Sequence, residues 1–320
     1  MNTPAKLAIF VSGLAVTFGA AMGIGTLFPT SAAVSAAENP PTTAPPGDDG
    51  HSHPAPKAAA EVPGGLQISQ DGYTLTPRTT ELAPGEATDF RFTVTGPDGR
   101  PVTDYQVLHE KKMHFIVVRR DLSGFQHLHP ELLDGGVWSI RLTLPEAGAY
   151  RAFADFAATG GEPLTLGMDL HAAGDYRSKP LAEVTRTAVV GEYTVALTGD
   201  LVPGKSGKLT LNVTRNGDPV TDLEPYLGAY GHLVALRAGD LAYLHVHPDG
   251  EPGDGKTAAG PGIVFHAQAP SPGAYRLYLD FKHAGTVRTA EFTLTAGGKA
   301  DVKAPEQTTP DDGGEEHGGH

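Results

Sequence analysis

The amino-acid sequence predicts an all-β protein: two tandem β-sandwich domains behind an N-terminal segment that enters a membrane. Three observations carry that expectation. The two halves repeat one another at an offset of about 120 residues, the signature of a duplicated unit. Within each half the apolar residues alternate with polar ones, as at Phe90, Phe92 and Val94 and again at Leu209, Leu211 and Val213, which is the period of a strand with one buried face. The 41 glycines and 27 prolines among 320 residues suit many short strands joined by turns better than long helices.

Taken in chain order, residues 1–37 read as a signal anchor or transmembrane segment. Leu7 to Phe28 carries no charge and is long enough to cross a hydrocarbon core of about 30 Å. The small residues from Ser31 to Ala37 also offer cleavage sites, so an uncleaved anchor and a cleaved secretory peptide both stand. Either outcome places the remainder outside the cytoplasm, on the membrane through this segment or secreted.

Residues 38–63, rich in Pro and Ala, read as a disordered tether. Residues 64–180 and 181–297 are the two repeats. Tyr73-Thr74-Leu75 answers Tyr193-Thr194-Val195, Gly99 to Asp104 answers Gly217 to Asp222, and Gly148 to Phe156 answers Gly273 to Phe281. Pro97-Asp98-Gly99 and Arg215-Asn216-Gly217 supply hairpin turns. Seven or more such strands in roughly 115 residues indicate an immunoglobulin-like sandwich. Residues 298–320 form an acidic, His-containing tail expected to be disordered.

Composition removes several function classes. With 37 acidic against 24 basic side chains, a formal charge of −13 and no Lys/Arg cluster, nucleic acid is not an expected partner. The chain has no cysteine, which excludes disulfides, iron–sulfur clusters, thiolate zinc sites, thiol catalysis and blue-copper electron transfer.

The histidines are the most informative side chains. His114, His127 and His129 recur as His232, His245 and His247, spaced thirteen and then two in both repeats, while their neighbours differ. Residues two apart on a strand share a face, so the pair in each His-x-His can reach one ion. If Asp121 to Gly124 makes the turn, an even residue count brings His114 to that same face and an odd count sends it to the other. Three neutral imidazoles suit Zn(II) or Cu(II), with Asp155 and Asp280 as a fourth ligand or as partners that orient an imidazole. His109, His171, His266 and His283 lack this matched pattern and carry less weight. The plainer reading is that these histidines are buried hydrogen-bonding groups, with Pro130 and Pro248 ending the strand.

The His127-Leu128-His129-Pro130 motif and the run from Gly231 to Pro248 resemble a family of secreted or membrane-anchored bacterial proteins with tandem immunoglobulin-like, cupredoxin-like domains. A more distant similarity is to extracytoplasmic copper-resistance domains. The duplicated three-histidine pattern makes a module that holds Cu(II) or Zn(II) once per repeat, for envelope metal handling or for delivery to an envelope protein partner, the leading expectation. The alternative is a structural, adhesion or protein-interaction module with structural histidines. An enzyme is not expected: there is no Gly-x-Ser-x-Gly elbow, no His-Glu-x-x-His helix and no phosphate-cradling glycine loop.

Overall fold

The computed structural model describes residues 62–297. The expected membrane segment, the tail and all but the last residues of the tether lie outside the described residues. No helix among the described residues is long and apolar enough to cross a membrane.

The first repeat contains β1 (Ser69–Gln70), β2 (Tyr73–Pro77), β3 (Glu81–Leu82), β4 (Ala87–Thr95), β5 (His114–Arg119), β6 (Gln126–Leu128), β7 (Glu131–Leu133), β8 (Val137–Thr143), β9 (Gly148–Phe156) and β10 (Leu164–Ala172). They form two five-stranded sheets, ordered β1-β2-β4-β8-β7 and β3-β10-β9-β5-β6. The second repeat contains β11 (Thr187–Val190), β12 (Tyr193–Thr198), β13 (Ser206–Arg215), β14 (Asp218–Pro219), β15 (His232–Arg237), β16 (His245–Pro248), β17 (Gly262–Gln268), β18 (Gly273–His283) and β19 (Thr286–Ala296). Its sheets run β11-β12-β13-β17-β16 and β15-β18-β19.

Each sandwich closes over its own core because alternate strand positions are apolar. In β4 the side chains of Phe90, Phe92 and Val94 are fully buried; Phe92 stacks on Phe115 from the facing sheet and on Trp138 from the neighbouring strand, and the Phe90 ring lies tilted against Phe115. In the second repeat Leu209, Leu211 and Val213 on β13 meet Phe265, Leu277 and Phe292. The Arg215-Asn216-Gly217 segment makes the expected tight hairpin, with Arg215 paired to Asp218 and both central residues at positive φ, 51° and 94°.

The repeated Gly-Ala-Tyr-Arg segments have a specific structural task. Tyr150 donates its hydroxyl to the Glu146 carbonyl at 2.7 Å, and Tyr275 donates to the Ser271 carbonyl at 2.7 Å. A buried tyrosine near the start of a strand, bonded back to the corner before it, is the tyrosine corner of immunoglobulin-like sandwiches.

The two sandwiches pack on one another through the outer faces of the β5-β9 and β15-β18 pairs. Ile116, Val118 and Phe153 from the first repeat bury against Val234, Leu236 and Tyr278 from the second, forming a third apolar cluster. Matched residues make matched contacts. Phe125 stacks on Tyr278 at 4.0 Å, while Tyr243, the counterpart of Phe125, packs on Phe153, the counterpart of Tyr278, at 5.6 Å. Such exchange of partners is an internal two-fold relation.

Candidate functional site

The register of β5 and β6 decides where the first repeat's histidines point. Phe115 pairs with Leu128 and Ile116 with His127, and Phe115 and Leu128 face the sandwich interior. Alternation therefore puts His114, His127 and His129 on the opposite face, the one that meets the second repeat. The even turn count that the sequence left as a condition is the one the chain adopts.

Ligand atoms of these three histidines lie within 4.8 Å of one another. His232 joins them from the second repeat: its ring stacks on that of its own counterpart, His114, at 5.2 Å and 10°, and lies 4.7 Å from that of His127. A residue that touches its own counterpart sits beside the internal two-fold axis. The histidine group is thus the polar end of the junction whose apolar end is the cluster around Tyr278.

Asp280 completes the arrangement from the second repeat. It is the cross-strand partner of His232, yet its carboxylate accepts from Nδ1 of His127 in the first repeat at 2.9 Å, with both side chains almost fully buried. Its other oxygen accepts from the Thr289 hydroxyl at 2.6 Å. Asp155 holds the matching place, as the cross-strand partner of His114 and the acceptor for Thr165 at 2.9 Å.

Hydrogen bonding fixes which ring nitrogens carry lone pairs. Nε2 of His114 faces the Leu108 carbonyl at 3.1 Å; a carbonyl only accepts, so this nitrogen holds the proton. Nδ1 of His127 likewise faces the Asp280 carboxylate. In neutral rings the remaining nitrogens, Nδ1 of His114 and Nε2 of His127, are then both acceptors, and they face each other at 3.1 Å. Nε2 of His129 is buried with no hydrogen-bond partner among the described residues.

The surroundings favour neutral imidazoles. Burial, then the neighbouring His127, lowers His114 to about 4. Burial, then His127 and His114, lowers His129 to about 3. Burial, then the surrounding histidines, holds His232 well below the usual range.

His245 and His247 lie on β16, which belongs to the opposite sheet of the second repeat. In the first repeat the chain leaves the β5 sheet after the His-x-His segment, and β7 joins the opposite sheet. In the second it leaves sooner: Leu236 still bridges Tyr243, but His245–Pro248 already pairs with β17 of the opposite sheet, with His247 across from His266. His247 is exposed and lines a groove with His109, Gly228, Glu251 and Asp254. Among the described residues the close group therefore lies at the junction and draws on both repeats, His114, His127 and His129 with His232; the spacing suggested a further three-histidine site, with His232, His245 and His247, in the second.

Two contributors carried little signal in the sequence. His109 stands 6.1 Å from the His114 ring and 5.9 Å from that of His232, but has no histidine counterpart in the second repeat. Thr289 looks like any strand threonine; only its position across from Asp280, matched by Thr165 across from Asp155, marks it. His283 has its own separate partners, the Tyr193 hydroxyl and Asp222.

A family described as Domain of unknown function (DUF8832) matches residues 68–174 and again residues 187–298. The chain belongs to this family. The two DUF8832 matches fall on the two sandwiches, so the family unit is a single repeat and the junction is made by a pair of units. No curated protein matches the chain.

Among solved structures, this DUF8832 chain is similar to the Escherichia coli adhesin FdeC at 13% identity, covering 72% of this chain and 65% of that one with a TM-score of 0.24. A Salmonella alpha-2-macroglobulin matches at 14% identity over 77% of this chain and 16% of its own, TM-score 0.27. The Yersinia pseudotuberculosis adhesin InvE matches at 12% identity over 72% and 60%, TM-score 0.22. The chain spans less than two thirds of the length of each of these structures.

Proposed function

We propose that the chain is an extracytoplasmic immunoglobulin-like binding module whose inter-repeat junction holds one divalent metal ion, Zn(II) or Cu(II). The observation that carries this reading is the pair of facing nitrogens on His114 and His127. Two lone pairs directed at each other repel unless a cation lies between them. Their 3.1 Å separation is close to the roughly 3.3 Å between two ligands of a tetrahedral ion with bonds of about 2.05 Å. The unpartnered Nε2 of His129 supplies a third nitrogen within 4.8 Å, and its lowered proton affinity keeps it available. His114, His127 and His129 would hold the ion, with Asp280 orienting His127 from behind.

A second reading is favoured by the same bond to Asp280. A proton on Nε2 of His127 would make it an imidazolium, paired with Asp280 and donating to His114, so that the histidines close the junction of a protein-interaction module without any ion. That reading needs nothing beyond the immunoglobulin-like fold, and it leaves His129 Nε2 unexplained.

Calorimetric titration of chelator-stripped protein with Zn(II) and with Cu(II) tests the proposal. One ion per chain, lost in a folded His127→Ala/His129→Ala variant, is expected. Absence of binding by the parent refutes the metal reading and leaves the interaction module.

A further inference from the structure

The bond between His127 and Asp280 joins the two repeats, and it has a consequence for how the site works. His114, His127 and His129 all come from the first sandwich, but the tautomer of His127 is held by a carboxylate from the second. That carboxylate is in turn held by Thr289 on the adjacent strand, giving a chain Thr289 hydroxyl, Asp280 carboxylate, His127 imidazole with contacts of 2.6 and 2.9 Å. The carboxylate sits at this place only when the β15-β18 face is docked on the β5-β9 face.

We infer that Asp280, backed by Thr289, is the positioning residue for a first-repeat metal ligand, so that ion binding and docking of the two sandwiches are coupled. This rests on the metal reading above and deepens it. A carboxylate on the far nitrogen of a ligating imidazole fixes its tautomer and raises its basicity, and loss of such a partner weakens binding by roughly 10–100-fold. Linkage then requires the reverse effect: an ion that binds the docked arrangement better must strengthen docking by the same factor. The two-fold geometry adds a reason for duplication. A single repeat carries the three histidines but not the carboxylate that orients them; a pair carries both.

The coupling separates this site from one built within a single sandwich. Tyr278 lies at the apolar end of the junction, stacked on Phe125, and its hydroxyl donates to the Leu122 carbonyl of the other repeat. Loosening the junction there must weaken the ion site if the two are linked.

The test uses the full chain and Co(II), whose visible spectrum reports ligand number and geometry, with Zn(II) competition for affinity. Asp280→Asn and Thr289→Val are compared with the parent and with Thr289→Ser, which retains the hydroxyl. Tyr278→Ala is compared by the same titration and by hydrogen exchange at β15 and β18 with and without Zn(II). Expected results are roughly 10–100-fold weaker binding for Asp280→Asn, a smaller loss for Thr289→Val that Thr289→Ser restores, and weaker binding for Tyr278→Ala. Zn(II) should slow exchange along β15 and β18 in the parent.

Parent-like affinity and spectrum in both Asp280→Asn and Thr289→Val would overturn the positioning role. Parent-like affinity in Tyr278→Ala, with its junction open by exchange, would overturn the coupling. Absence of Co(II) and Zn(II) binding by the parent would instead refute the metal reading beneath it. Thr289→Val guards against a folding defect in Asp280→Asn, since it leaves the carboxylate in place.

Discussion

Replacing Tyr278 by Phe removes one oxygen from the apolar end of the junction and nothing else. The residue is fully buried, and its hydroxyl donates at 2.6 Å to the carbonyl of Leu122, itself buried in the other repeat. The substitution leaves that carbonyl without its donor and out of reach of water. A buried polar group stripped of its partner costs about 1–3 kcal/mol, while the ring and its stack on Phe125 at 4.0 Å are kept. The single tryptophan offers an unusually clean readout, because Trp138 lies in the core of the first sandwich, whereas the substitution is in the second. In urea, with a slope of about 2 kcal/mol per molar, the cost moves the midpoint reported by Trp138 fluorescence down by roughly 0.5 M or more. A Trp138 midpoint equal to that of the parent, with the circular-dichroism midpoint lowered, would mean that the sandwiches unfold independently. The junction would then not be a structural unit.

Other expectations follow from the same geometry. In metal-free protein the neutral form of His114 is favoured by folding, so its contribution is complete above the unfolded value near 6.5 and is lost as pH falls toward about 4; at about 1.4 kcal/mol per pKa unit this is on the order of 3 kcal/mol. Urea midpoints at pH 7.5, 6 and 5 should therefore decline, and a His114→Gln variant should decline less. His129→Ala should weaken metal binding at least roughly tenfold, yet shift the metal-free urea midpoint by less than about 0.5 M, because Nε2 has no hydrogen bond to lose. Tyr150→Phe, which breaks the tyrosine corner of the first repeat, should lower the Trp138 midpoint by about 1–2 kcal/mol equivalent, as measured in the same urea titration. Saturating Zn(II) at about 100 times its dissociation constant should raise stability by about 2.7 kcal/mol, a gain absent from His127→Ala.

The amino-acid sequence by itself determined the class of fold and its duplication. Alternation at Phe90, Phe92 and Val94 and at Leu209, Leu211 and Val213 specifies strands buried on one side, because period is a local property; the Gly-Ala-Tyr-Arg segments are legible as a match between the halves, while the bonds of Tyr150 and Tyr275 to their corners are read from the structure. The sequence also marked His114, His127 and His129, together with His232, His245 and His247, by their matched spacing, while the turn parity that decides the face of His114 stayed open. What only the tertiary structure decided was which of the matched residues meet. The run Phe115-Ile116-Val117-Val118 is apolar on both faces and so marks the outer face for burial as well, but nothing in its order says that this face closes on its own copy. That docking sets His232 against His114 and carries the Asp280 carboxylate to His127, across 153 residues of chain. The departure of the second His-x-His segment to the opposite sheet is equally non-local, for it depends on which neighbour wins the strand's hydrogen bonds and not on the residues of the motif. Spacing along a strand dictates which side chains share a face; the packing of two faces dictates what they can bind.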